Sequence, residues 1–299
     1  MPPRGTPNTP TVRFLLDAGE AYLLRHGVPQ DEARTQTEIL TAETLGIPES
    51  RLPLEGARPV PPDQTDALRR LLVRRAAGEP VQYLVGHWPF HDIELKTDAR
   101  ALIPRPETEL LVERILQSPE WATARDIVDI GTGTGAIILS LAHADRTHPH
   151  PSGPRHFTAV DLSPDALTLA RENAETLSLT DRVTFIHGDA CDTLERASAD
   201  IIVSNPPYIP TAETDALPDL ILKHEPRLAL DGGKDGLNIL RRITAGATQV
   251  LRPNGRLFFE IGDGQGLSVQ RILDCSGYTR TAIIRDYAGH DRFAEGSLA

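Results

Sequence analysis

Ile127-Val128-Asp129-Ile130 runs directly into Gly131-Thr132-Gly133-Thr134-Gly135-Ala136, and a helical pattern follows. A short apolar, β-branched run predicts a buried strand. The glycines permit a tight turn and let a ligand approach the backbone at a helix N-terminus. The same strand–helix pattern repeats down the chain. Strands are predicted near 126–130, 156–160, 182–187, 199–203, 255–261, 279–285 and 292–296. Helices are predicted near 106–117, 134–144, 164–176, 234–251 and 265–275. Such repeated units imply an α/β fold with a mostly parallel, seven-stranded sheet covered on both faces.

The first third reads differently. Val12, Leu15, Leu16, Tyr22 and Leu23 fall at helical spacing, as do Ala33, Ile39, Leu40 and Leu45, with Gly46 as a stop. Pro61-Pro62-Asp63 opens a third helix through Leu68, Leu71, Leu72 and Val73 to Gly78. Residues 1–78 are therefore expected to form a small all-helical domain. Alternation from Glu79 through Trp88, Phe90, Ile93 and Leu95 predicts a β-hairpin connector over 79–97, and residues 98–299 the α/β domain. Met1 to Pro10 is a polar, proline-rich extension, and Thr211 to Ala229 reads as a long irregular stretch of the kind that binds ligands.

Composition narrows the setting. No apolar run reaches the ~20 residues of a membrane span, and no signal-peptide core is present. Two cysteines, Cys191 and Cys275, without metal-like spacing fit a reducing cytoplasm. A formal net charge of −11 makes the chain a poor general polyanion binder, so no direct nucleic-acid contact is expected. His143, His148, His150 and His156 surround a Pro- and Ser-containing loop and read as solvated, so no metal is expected.

Chemistry collects at the predicted strand ends. The glycine string also satisfies the loose dinucleotide-binding fingerprint, so it does not choose a cofactor by itself. Asp129 does help to choose, because a carboxylate there disfavours a pyrophosphate and suits a cationic ligand such as S-adenosylmethionine. Asp161, before Leu162, closes the second strand and can accept from ribose hydroxyls. Asp189, before Ala190, closes the third and can accept from an adenine amino group. Candidate cofactor residues are thus Asp129, Gly131, Thr132, Gly133, Thr134, Gly135, Asp161, Leu162, Asp189 and Ala190, together with Asn205.

The fourth strand ends in Asn205-Pro206-Pro207-Tyr208. The prolines stop the strand and leave their carbonyls free. The Asn205 and Pro206 oxygens could together accept both hydrogens of a planar –NH2 group while the Tyr208 ring packs on its face. Upstream, Ile103-Pro104-Arg105-Pro106-Glu107-Thr108-Glu109 opens a helix whose first turn carries acids.

With these motifs the chain resembles S-adenosylmethionine-dependent methyltransferases with a Rossmann-like core, and more closely the peptide chain release factor glutamine methyltransferases. The resemblance covers nearly the whole chain. It takes in Gly78 to Gly86, Ile103 to Glu109, Asp129 to Ala136, Asn205 to Tyr208, Glu225-Pro226-Arg227-Leu228-Ala229-Leu230, and Arg285-Asp286-Tyr287-Ala288-Gly289 with Arg292. Ala190 stands where some relatives carry an aromatic residue. The resemblance implies methylation of the glutamine in the Gly-Gly-Gln loop of class I release factors, with S-adenosylhomocysteine as coproduct. It implies catalysis by Asn205, Pro206, Pro207 and Tyr208, and a substrate region with Arg105, Thr108 and Glu109. A cytoplasmic monomer whose helical domain recognises substrate is expected. Two alternatives share parts of the pattern: an amino-methylating DNA enzyme, since adenine also offers a planar –NH2, and a non-catalytic adenosylmethionine-binding partner of translation. The acidic charge opposes the first, and the intact acceptor pair opposes the second.

Overall fold

A computed structural model describes residues 9–149 and 153–299. The first eight residues of the extension, and His150 of the histidine loop, lie outside the described residues. The chain divides after Gly86 into two compact units.

The first unit is helical: α1 Val12–Arg25, α2 Gln30–Leu45, α3 Pro62–Ala76 and α4 Val81–Val85, with a 3-10 helix at Glu49–Glu55. Its core joins Val12 and Leu16 of α1 to Ala42 and Leu45 of α2, Leu52 and Val60. Gly46 ends α2 in the left-handed conformation, as its position predicts. Residues 81–85 depart from the expected hairpin. Pro80 starts a helical turn there and Gly86, at φ 79°, ends it. The apolar Val81 and Leu84 are three apart, a spacing that serves one helix face as well as strand alternation obscures it.

The second unit opens with the hairpin β1 His87–Phe90 and β2 Ile93–Lys96. Helix α5 Pro106–Gln117 follows, then β3 Asp126–Ile130, α6 Ala136–Thr147, β4 His156–Asp161, α7 Pro164–Thr176, β5 Val183–His187 and β6 Ala199–Ser204. Two short helices, α8 Thr211–Thr214 and α9 Asp219–His224, and a 3-10 turn at Arg227–Ala229 replace the expected irregular stretch. Pro210 and Pro226 precede two of them, a helix-starting signal that short length masks in the sequence. The chain ends with α10 Asn238–Val250, β7 Leu251–Glu260, α11 Gly266–Cys275, β8 Tyr278–Arg285 and β9 Asp291–Leu298.

Strand order is β5-β4-β3-β6-β7-β9-β8. The pairs from β5 to β7 are parallel, and β9 inserts antiparallel between β7 and β8. Alternate residues of the central strands serve opposite cores. Ile127, Ile201, Val203 and Phe258 face one cluster, while Val128, Ile202, Leu257 and Phe259 face the other. This explains the continuous apolar runs, since helices cover both faces of the sheet. The order reverses between β3 and β6, which leaves a crevice outside their carboxyl ends.

Candidate active site

A cavity of about 330 Å³ occupies that crevice. Gly131, Thr132, Gly133 and Thr134 line it after β3, Asp161 and Leu162 after β4, Asp189 and Ala190 after β5, and Asn205, Pro206 and Pro207 after β6. Arg105 and Thr108, from the start of α5, close another side. Parallel strands ending on one edge thus bring together motifs up to about a hundred residues apart. Four of the expected site residues stand outside the lining: Asp129, Gly135, Tyr208 and Glu109.

The glycine loop is spoken for. Gly131 and Thr132 N–H both donate to Val160 O, at 2.8 and 3.1 Å. Gly133 N–H donates to Asp161 Oδ2 at 2.8 Å, and Gly135 N–H to Thr132 O at 2.8 Å. These amides are not available to cradle a pyrophosphate, which removes the main attraction of such a loop for a dinucleotide. Gly135 is required by packing: a Cβ there would lie 2.8 Å from Leu139 Cδ1 and 3.3 Å from Ala170 Cβ.

The three acids differ. Asp129 is fully buried behind Thr132, whose hydroxyl donates to Oδ2 at 2.7 Å, while Oδ1 has no hydrogen-bond partner among the described residues. Burial pushes its carboxyl up to about 7, with the Thr132 bond pulling it back and Asp161 pushing further. Asp161 accepts from Gly133 N–H and from Ser163 N–H at 2.8 Å each. Burial raises its pKa against those bonds. Each of its oxygens keeps a lone pair for a ligand hydroxyl. Asp189 is half-exposed and already ion-paired: Arg242 of α10 reaches it with Nη1 at 2.5 Å and Asp192 with Nη2 at 2.6 Å. Engaged loop amides and the acids Asp161 and Asp189 at the cavity edge suit a cationic nucleoside ligand such as S-adenosylmethionine.

At the other end of the cavity, Asn205 Nδ2 donates to Thr108 Oγ1 at 3.1 Å, and that hydroxyl donates to Glu260 Oε2 at 2.6 Å. Glu260 ends β7, is 1% exposed, and burial pushes it up to about 7 against the Thr108 bond. Tyr208 is half-buried, its phenol pushed up to about 12 by burial. Gln265 holds the turn by donating from Nε2 to Tyr208 O at 2.9 Å and accepting from Gly262 N–H. The segment after Asp231 packs backbone against backbone on the same turn. A Cβ on Gly232 would lie 2.6 Å from Pro207 O, and one on Gly236 only 2.2 Å from Tyr208 O. Arg105 reaches Glu225 with Nη2 at 2.7 Å from both carboxylate oxygens, tying two separate sequence motifs together.

Glu260, Gln265, Gly232 and Gly236 escape sequence reasoning. In the sequence Glu260 reads as an ordinary strand residue, and a lone carboxylate closing the apolar run Leu257-Phe258-Phe259 is the signal that could find it. The paired glycines after Asp231 are another.

Comparisons of the chain to known proteins give its family. A family model described as the PrmC N-terminal domain matches residues 15–86, and one described as the methyltransferase small domain matches residues 106–234. A release factor glutamine methyltransferase of Moorella thermoacetica is 40% identical over 284 residues, covering 94% of this chain and 96% of its own. The protein of that name from Geobacter sulfurreducens is 38% identical over 288 residues, covering 96% and 97%. Among solved structures, a methyltransferase from Pyrococcus furiosus aligns with a TM-score of 0.49 and 17% identity over 68% of this chain and 87% of its own. At that identity over nearly the full length of both chains, this chain belongs to the release factor glutamine methyltransferase family.

Proposed function

We propose that this enzyme transfers the methyl group of S-adenosylmethionine to the side-chain amide nitrogen of the glutamine in the Gly-Gly-Gln loop of class I release factors. The observation that carries this reading is the orientation of Asn205. Its nitrogen is taken up by Thr108, so the atom left for the cavity is the oxygen, an acceptor for a substrate –NH2. The Pro206 carbonyl, next in the chain and without a backbone donor of its own, is the second acceptor.

When bound, S-adenosylmethionine supplies an electrophilic methyl group on a positively charged sulfur. Asp161 would hold ribose hydroxyls, and Asp129 would stand behind the glycine loop, gaining negative charge as pH rises through about 7. Asp189 retains an oxygen for the adenine amino group beside its bond to Arg242. Leu162, Ala190 and the Gly131–Thr134 loop would pack around the nucleoside. An amide nitrogen is a poor nucleophile because its lone pair is delocalised. Asn205 and Pro206 orient it and stabilise the positive charge that grows on it, which is positioning plus preorganised electrostatics. The carbon–sulfur bond breaks as the carbon–nitrogen bond forms, and one amide proton leaves to solvent. Neither step calls for a strong base or a metal. Pro207 and Tyr208 shape the turn, and the Tyr208 ring would pack on the face of the amide. Arg105, Thr108 and Glu109 belong to the substrate region through α5.

The helical residues 1–78 recognise the release factor in this reading, the hairpin connects, and residues 98–299 catalyse. Among the described residues no helix is long and apolar enough to cross a membrane. A cytoplasmic monomer meeting its release factor is the setting that fits. Incubation with S-adenosylmethionine and a Gly-Gly-Gln release factor, followed by mass spectrometry, should find one methyl group on that glutamine. Methylation of DNA adenine with none on the release factor would overturn the assignment.

A further inference from the structure

We infer that Glu260 is a positioning residue for methyl transfer: acting through Thr108, it fixes which end of the Asn205 carboxamide faces the cavity. The inference rests on the reading of Asn205 given above. Ser204 pairs with Phe259 across β6 and β7, so the next residues, Asn205 and Glu260, stand side by side at the carboxyl edge. Thr108 comes to them from the first turn of α5 and is 4% exposed. A hydroxyl has one proton. Thr108 gives that proton to Glu260 Oε2 and keeps its lone pairs for Asn205 Nδ2. The chain of donors therefore runs one way, from Asn205 to Thr108 to Glu260, with the Asn205 amide also bearing directly on Glu260, and an acceptor at its end sets the direction. A carboxamide is nearly symmetric in shape, and only its hydrogen-bond partners distinguish oxygen from nitrogen. Were the chain reversed, Asn205 would turn its –NH2 to the cavity, where it would meet the –NH2 of a substrate amide, donor against donor.

Glu260 costs the fold something. It is a carboxyl buried in an apolar sheet edge, facing Thr108 and Glu107 of α5, Asn205 and Tyr208 of the turn, and Arg292 of β9. Arg292 is itself bonded to Asp286 at 3.2 Å. A glutamine of equal size would fill the same space. Above pH 7, where Glu260 is ionised and only accepts, it differs in one respect that matters here: it can donate as well as accept, so it permits the chain to run in either direction, and the two are compared at about pH 8.

The test is a double-mutant cycle on the full chain, with folding followed by thermal melting and binding of S-adenosylhomocysteine by calorimetry. Glu260→Gln should bind S-adenosylhomocysteine as the wild type does. Its kcat on release factor should fall roughly tenfold to a hundredfold, the usual loss when a supporting hydrogen bond behind a reactive group is changed. KM for the release factor should stay within about threefold. In an Asn205→Ala background the same substitution should cost nothing further, because nothing is left to orient. From the other end of the chain, Thr108→Val should lose the same factor and Thr108→Ser should keep near wild-type kcat. A full additional loss in the Asn205→Ala background, or a wild-type rate for Thr108→Val, would overturn the inference. If Asn205→Ala itself turns over at the wild-type rate, the reading of Asn205 fails. If Asn205→Ala is slow while Glu260→Gln is fully active, only the role of Glu260 fails.

Discussion

Asn205 is exposed on one side to the cavity and bonded on the other to Thr108, so its removal should leave the fold nearly intact. Asn205→Ala should slow turnover by ~10²–10³, the usual effect of losing one preorganised polar contact, with cofactor affinity close to normal. Asn205→Asp keeps an acceptor but adds a charge facing a cationic cofactor. It should be as slow, with equal or tighter cofactor binding by calorimetry. A second residue-scale expectation concerns pH. Asp129 and Glu260 are both held up to about 7 by burial, far above their ordinary values of 3.8 and 4.5. Between those values and about 7 the folded chain keeps protons that the unfolded chain has released. The stability tied to these two groups is fully present below their ordinary values and is lost as pH rises through about 7. Asp161, also raised by burial, acts in the same sense; His143, lowered by burial from its ordinary 6.5, opposes it as one group against three; Asp98, Glu172 and Asp235, held low by arginine partners, act below the ordinary carboxylate range. Thermal melts without cofactor should therefore show a falling Tm from about pH 5 to about pH 8, and Asp129→Asn should flatten the slope. A slope unchanged by that substitution would count against the protonation assigned to Asp129.

At the scale of elements, the Asn205–Tyr208 turn is held by a second stretch of backbone as well as by its prolines. Ile209 and Asp231 form a parallel bridge, Gly232 N–H donates to Ile209 O at 2.8 Å, and Gly232 leaves no room for a side chain against Pro207 O. Carbonyl groups on both sides cannot swing aside as a flexible side chain would. Gly232→Ala should cost about 1–3 kcal/mol in stability, as overpacking does, and should reduce turnover by shifting the turn. Glu225 and Arg105 give the same neighbourhood its second tie, from the residues before α5 to the end of α9. A Gly232→Ala protein with wild-type melting and turnover would show that this contact relaxes freely.

For the whole molecule, the division after Gly86 separates a helical unit from one that contains every residue lining the cavity. The hairpin contributes Phe90, Ile93 and Leu95 to the core of the second unit, and Lys96 N–H donates to Asn173 Oδ1 of α7 at 2.6 Å. A chain beginning at His87 should accordingly bind S-adenosylhomocysteine but methylate a release factor poorly, because substrate recognition is assigned to the helices. Calorimetry and a methylation assay read the two halves of this expectation. Unimpaired methylation would show that the helical unit does not recognise substrate.

The sequence by itself determined the element order, because apolar runs and helical periodicity report burial locally, residue by residue. It also determined the strand-end positions of Gly131 to Thr134, Asp161, Asp189 and Asn205, since in a parallel sheet all such ends share one edge. It misread residues 81–85 and 211–229, where helices of a turn or two leave too few residues for a period to show. Only the tertiary structure decided which of these groups reach the cavity and what they already hold. Asp129 turns away behind Thr132, Asp189 is met by Arg242, and Glu260 arrives beside Asn205 from 55 residues downstream through the β6–β7 register. Hydrogen-bond direction and burial depend on partners distant in the chain, and no local pattern encodes those partners.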